Sequence, residues 1–302
     1  VAAQATKVHD RSEKPPALPQ LTNTEIAQAI EKLPALPPSA TRLLAVLHQS
    51  DWHIDDVLAA ISLDPILAGR TLCLANSAAH ASMGQVATLR QAIGRLGIGT
   101  VTSIAVAVAV HSTMRESLRP YGASAGLLWR HSVAASLAVE GIPVALRFTP
   151  PPESPTAALL HDIGKLLLSR TLTSAAADFI ERLAVERSRT TAQVESELLG
   201  ASHAELGARI AEVWRLPRTI VQGIRFHHAY HLAAREDELA VARAVAVADV
   251  VARRLAPGLG EAEQAFDLER DAQATHVSIE GLERLAAGAE ERLGEVLRLY
   301  ES

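Results

Sequence analysis

A chain of 302 residues, 48% of them hydrophobic, can bury a sizeable core as one large domain or as two lobes sharing an interface. A formal net charge of −5 and a pI near 6.2 exclude a general electrostatic attraction to DNA, RNA or acidic membranes. Aromatics are only 3%, so the core must be built from closely packed Ala, Leu and Val, which suits helices better than sheets.

Residues 1–20 are polar and proline-bearing and read as a loose N-terminal arm. No signal peptide is seen, the chain begins at Val1 rather than Met, and a soluble, cytoplasmic protein is expected. A first helical lobe is expected over 21–118. Pro34, Pro37 and Pro38 hold an extended lead-in to a helix carrying Leu43, Leu44 and Leu47. A second helix runs through "DDVLAAIS". In "SLDPILAGRTLCLANSA" Asp64 can cap a helix with Pro65 in its first turn, where the missing N–H costs nothing. Cys73 in that helix reads as an inert core thiol; as the sole cysteine it can form no disulfide within the chain, which points to a reducing compartment.

"TLRQAIGRLGIGTVTSIAVAVAV" reads as two more helices with a glycine turn at 94–99. The Ala/Val alternation at 105–110 has a strand-like period, yet its neighbours are helical and no hairpin turn follows, so a buried helix is expected. The stretch is too short to cross a bilayer. After a break at "RESLRPYGASAG" a second helical lobe, 119–302, resumes near Leu127. A rigid surface loop is expected at 147–155 and an acidic excursion at 256–275. A final helix near 278–300 aligns Leu282, Leu285, Ala289, Leu293 and Val296 on one stripe that can dock on its own lobe or on a neighbour, leaving the oligomeric state open. The chain reads as all-α.

Several polar residues lie on inward faces of these helices. His131 follows Leu127 and Leu128 and precedes Ala135 and Ala138 on one face. His203 shares a stripe with Leu206, Ile210, Val213 and Trp214, and Ile220 and Ile224 lead to His227 and His228. Asp249 sits in a helix that is apolar almost all round, where an unpaired carboxylate would cost several kcal/mol. In "LLHDIGK", His161 and Asp162 splay by about 100° but can reach one point near a helix end, with Lys165 on the same side. Singly, each has a plain structural explanation as a core histidine, a surface pair or an ion-pair partner. Together, five imidazoles and two carboxylates suit a transition metal (Fe, Mn, Zn or Ni) rather than Ca or Mg, and two bridged ions would use all seven. His9, His48, His53, His80, His111, His231 and His276 show no such convergence and read as surface or packing residues.

The segments "LPALPPSATRLLAVL", "ISLDPILAGRTLCLANSA", "LRQAIGRLGIGTVTSIAVA", "ALLHDIGKLLL", "HAELGARIAEVWRLPRTIVQGIRFHH" and "AVAVADVVA", in that order over residues 33–255, resemble an HDOD domain. The resemblance implies an HD-like helical bundle with an additional N-terminal helical lobe, related to HD phosphohydrolases and to the HD-GYP branch that hydrolyses cyclic di-GMP. Carried over residue by residue, it implies metal ligands at His131, His161, Asp162, His203, His227, His228 and Asp249, with Lys165 matching the lysine that follows the HD pair. "HHAYHLA" lacks the acidic residue and the glycine–tyrosine–proline segment that HD-GYP members carry there.

The family occurs in bacterial signalling proteins, mostly without demonstrated activity. The leading expectation is therefore a non-catalytic signalling module acting by binding a protein partner or a small nucleotide ligand, with a retained metal site. The alternative is a metal-dependent phosphohydrolase acting on a nucleotide or cyclic dinucleotide. There Asp162 would bridge two ions that activate a water, and Lys165 would neutralise phosphate charge. No basic stripe with interleaved aromatics supports a nucleic-acid role, and no membrane role is expected.

Overall fold

The structure, a computed structural model, describes residues 16–47, 49, 51–77, 80, 83–146, 148–259 and 268–301. Residues 1–15 of the predicted arm, His9, His48 and the middle of the 256–275 excursion lie outside these. Among the described residues the chain is all-α; extended pairing is limited to an isolated bridge between Leu118 and Ala123.

Helix α1 (Asn23–Glu31) begins at a capping box in which Thr22 Oγ1 accepts from the Glu25 amide and Glu25 accepts from the Thr22 amide. Helices α2 (Pro38–Leu47) and α3 (Ile54–Ile61) follow. Asp64 caps α4 (Pro65–Ala75) through the Leu67 amide at 3.0 Å, and its other oxygen accepts from the Ser39 hydroxyl at 2.7 Å, fastening α4 to α2. Cys73 is exposed, contrary to the expectation of a core thiol: α4 turns Leu67, Thr71, Leu74 and Ala75 inward, and Cys73 lies off that stripe.

The two helices expected within 88–110 are the two segments of α5 (Leu89–Met114), which meet at a kink at Gly97, whose φ of 77° is open to glycine but strained for side-chain-bearing residues. The Ala/Val alternation is helical and buried from Val101 to Ala107, so the strand-like period came from a helix covered nearly all round. By length and composition α5 could cross a membrane, yet 61% of its most apolar window is buried within the protein.

A 3-10 turn at Arg119–Tyr121 leads to α6 (Leu127–Ala145). Then come α7 (Ser154–Leu160), α8 (Gly164–Thr171), α9 (Ser174–Glu186), α10 (Thr191–Leu199), α11 (His203–Val213), α12 (Arg218–Phe226), α13 (Glu236–Leu255), α14 (Leu268–Thr275) and α15 (Ile279–Glu301). The loop expected to run to 155 ends earlier, because Ser154 and Pro155 already form the buried first turn of α7. The end of the predicted excursion is α14, joined to α13 by Arg253 Nη2 donating to Asp271 Oδ1 at 3.1 Å.

Helix α6 lies centrally against α7, α13 and α15, and one hydrophobic core runs from Ile26 to Tyr300. The stripe Leu282, Leu285, Ala289, Leu293 and Val296 is buried, with α15 docked on α6 of the same chain. Each buried leucine there contributes about 1.5–3 kcal/mol.

Candidate metal centre

Five elements converge on one point. His131 comes from α6, His203 opens α11, His227 and His228 end α12, and Asp249 comes from α13. His161 and Asp162 occupy the tight turn between α7 and α8, and Lys165 stands in the first turn of α8. The turn is held deep because α8 and α11 touch backbone to backbone. A Cβ on Gly164 would lie 2.0 Å from the His203 carbonyl oxygen and 2.7 Å from the Gly207 amide nitrogen. The pair is therefore at a helix end but not a solvated one: His161 is 0% and Asp162 1% exposed. The stripe predicted for His203 needs correction. Leu206 and Ile210 do share its face, but Val213 is 59% exposed and Trp214 is already the helix cap.

Asp162 stands between two groups of ligand atoms. Its Oδ2 lies 3.5 Å from Nε2 of both His131 and His161, and its Oδ1 lies 3.4 Å from His203 Nε2. On the first side Asp249 Oδ1 is 3.3 Å from His131 Nε2 and 3.4 Å from His161 Nε2, and the two Nε2 atoms are 3.2 Å apart. On the other side His203 and His228 bring their Nε2 atoms within 2.9 Å, and ligand atoms of His203, His227 and His228 all lie within 4.8 Å of one another. Lys165 Nζ donates to Asp162 Oδ2 at 2.9 Å and to the Leu259 carbonyl at 3.2 Å.

The outer ring nitrogens decide which atoms face inward. Carbonyl oxygens only accept, so His161 Nδ1 donates to Ala158 and His227 Nδ1 to Ile224, each at 2.7 Å. His203 Nδ1 donates to Glu195 at 2.6 Å. In the neutral ring each Nε2 is then a lone pair aimed at the centre. His227 Nε2 is buried with no hydrogen-bond partner among the described residues. The contacts at 3.2 Å between His131 and His161 and at 2.9 Å between His203 and His228 are met either by an Nε2–H donated from His131 and from His228 or by a cation between the rings. Imidazole and carboxylate donors together fit a borderline transition metal.

Without a cation, charge in the centre is uneven. Burial pushes His161 down, but the Asp162 and Asp249 carboxylates and the Ala158 carbonyl outweigh it and raise it to about 9. Burial, reinforced by the charges of His161 and His203, holds His227 down to about 3, and His228 is depressed for like reasons. Burial alone would raise Asp162 and Asp249, yet Lys165 and the histidines hold the first, and Arg253, His131 and His161 the second, well below the usual carboxylate range. A raised histidine gives stability that is present below about 6.5 and lost as pH rises toward 9. A depressed one gives stability present above 6.5 and lost as pH falls toward 3. Thermal melts of metal-free protein should therefore peak near pH 6.5 and decline on both sides. Metal binding displaces the His161 proton, so metal affinity measured by titration should climb with pH up to about 9.

Glu195 is absent from the sequence-derived set. It is 1% exposed, and besides the His203 ring it accepts from the His203 amide at 2.8 Å. Thr191, Glu195 and Leu199 form a buried stripe at four-residue spacing, so the inward-face test applied to α10 would have found it. Glu195→Gln should weaken metal affinity about 10–100-fold, measured by competition with a chromogenic chelator, with the fold retained. Among the other histidines, His53, His231 and His276 are exposed, and His111 packs edge-on against Trp129 at 4.8 Å.

Comparison with known proteins agrees with this architecture. Residues 33–230 match the family model of the HDOD domain; they hold six of the seven candidate ligands, Asp249 lying beyond. A crystal structure from Shewanella amazonensis SB2B, of a protein provisionally named a phosphohydrolase, is 28% identical, covers 90% of this chain and 97% of its own, and has a TM-score of 0.62. An HDOD domain protein with unknown function from Geobacter sulfurreducens, 22% identical, shares the fold at TM-score 0.57, over 92% of this chain and 96% of its own. An uncharacterized protein of Treponema pallidum (strain Nichols) is 25% identical over 207 residues, and this chain spans only 39% of its length. With the motifs in order and the family model spanning both the N-terminal helices and the HD turn, the chain belongs to the HDOD domain family.

Proposed function

We propose that this chain is a signal-transduction HDOD module that retains a binuclear metal site and acts by binding a protein or small ligand rather than by turnover. His131, His161 and Asp249 would hold one ion and His203, His227 and His228 the second, with Asp162 shared between them. Bound there, the ions would supply Lewis acidity and cross-link α6, the HD turn, α11, α12 and α13.

The burial of the centre carries this reading. Six of the seven candidate ligands are 5% exposed or less, and only His228 reaches a half-buried edge. Lys165, the cation that would meet a phosphate, is itself 2% exposed and engaged by Asp162 and the Leu259 carbonyl. A catalytic site keeps an open ligand position, whereas a structural one is closed by its own residues. The burial of Lys165 beside Asp162 speaks for a closed centre.

The test is turnover by metal-reconstituted protein on a panel of nucleoside phosphates and cyclic dinucleotides. Product formation should equal that of Asp162→Ala. Turnover that disappears in Asp162→Ala would instead establish a metal-dependent phosphohydrolase, the reading favoured by the name of the 28%-identical Shewanella protein.

A further inference from the structure

Asp249 turns its two oxygens to different partners. Oδ1 faces His131 and His161, while Oδ2 lies 3.4 Å from Nε of Arg253, one turn further along α13. The guanidinium is shared in turn, for Arg253 Nη2 donates to Asp271 Oδ1 of α14 at 3.1 Å. A chain of contacts therefore runs from α14 through Arg253 to a candidate ligand of the first ion.

Helix α14 buries little apolar surface. Asp271 and Thr275 are its buried residues, and Leu268 and Ala272 lie half-buried against the core. The Thr275 hydroxyl donates within the helix, to the Asp271 carbonyl at 2.7 Å. Asp271 itself is 7% exposed, and its Oδ2 is buried with no hydrogen-bond partner among the described residues. A carboxylate buried in this way depends on the positive charge of Arg253 beside it.

We infer that Arg253 and Asp271 are positioning residues for the first ion, Arg253 fixing the Asp249 carboxylate and Asp271 offsetting the guanidinium charge. The inference rests on the two-ion reading of the centre. A ligating carboxylate is oriented by a partner on its other oxygen, and such partners are worth about 10–100-fold in metal affinity. A lone guanidinium here would orient Asp249 but would also set a positive charge beside a cation site. Asp271 cancels that charge, so the orientation is kept and the charge of Asp249 is left for the ion. Since α14 carries Asp271, filling of the first site and docking of α14 are coupled, equally in both directions. A lightly packed helix whose docking follows occupancy is an element that a signalling module can read.

Zinc(II), titrated into the metal-free full chain against a chromogenic chelator, reads the affinities. His228→Ala isolates the first site and His131→Ala the second. Adding Asp271→Asn or Arg253→Lys should weaken the first site about tenfold or more and leave the second unchanged. Lysine keeps the charge of Arg253 but lacks the fork that meets both carboxylates. A change that merely loosened the fold would weaken both sites alike. Hydrogen exchange supplies a second readout. In the wild type, saturating zinc should slow amide exchange in α14 about tenfold and leave α3, which packs on α2, α4 and α5, unchanged. In His131→Ala zinc should leave α14 exchange unmoved. Equal weakening of both sites, full first-site affinity in Asp271→Asn, or wild-type α14 exchange indifferent to zinc would each overturn the assignment while the two-ion centre stands. A wild type that binds no zinc would overturn the centre and this inference with it. Exchange in the wild type with and without zinc decides the matter even if a variant fails to fold.

Discussion

Asp162→Ala should leave the protein without metal, whereas His228→Ala should cost it one of the two proposed ions. The asymmetry follows from geometry. Asp162 turns Oδ2 toward His131 and His161 and Oδ1 toward His203, so it presents one oxygen to each group. His228 faces only His203 and His227. Metal per chain, measured by mass spectrometry after dialysis against trace metal, should fall from two to near zero in the first variant and to one in the second. The aspartate change carries a stability cost as well. It removes the carboxylate to which Lys165, 2% exposed, donates, and breaking a buried pair in this way costs about 3–5 kcal/mol. Asp162→Asn should lose metal with a smaller drop in melting temperature, since the amide oxygen still accepts from Lys165. Equal loss of metal in Asp162→Ala and His228→Ala would mean that the aspartate is not shared.

The second large effect lies outside the ligand set. Gly164→Ala places a Cβ where the His203 carbonyl oxygen is 2.0 Å away and the Gly207 amide nitrogen 2.7 Å away. Both are backbone atoms and cannot rotate aside, so α8 and α11 must separate. Overpacking ordinarily costs about 1–3 kcal/mol; with backbone on both sides of the clash, about 3 kcal/mol or more is expected in urea unfolding. The same displacement moves the HD turn away from His203, so metal should be lost first from the His203 side. Gly288, inside α15 with nothing within 4 Å of its would-be Cβ, is the control. There alanine should be neutral or stabilising by up to about 1 kcal/mol.

These residues also show what the sequence discloses and what it withholds. A histidine or aspartate in an apolar helix stands out because burying it unpaired is costly, which is why His131, His161, Asp162 and Asp249 can be grouped from helix faces alone. Helix starts are legible where a capping side chain and a proline coincide, as at Asp64 and Pro65. Three things are not. The face of His203 extends one turn less far than its apolar spacing suggests, because Trp214 caps α11 and Arg215, at φ 56°, turns the chain away. Helix α14 is polar, and its tie to α13 is the Arg253–Asp271 pair, a contact between residues 18 positions apart that no local pattern reveals. Glu195 acts through the ring of His203 from another helix, a pairing visible only once α10 and α11 are brought together.

Everything proposed for the centre turns on two ions sharing one aspartate. Anomalous diffraction at the manganese, iron, nickel and zinc edges, on crystals of protein purified without chelator or nickel resin, addresses that directly. Two peaks are expected, one among His131, His161 and Asp249 and one among His203, His227 and His228, with an Asp162 oxygen facing each. Well-ordered side chains at these positions with no anomalous peak between them would contradict it.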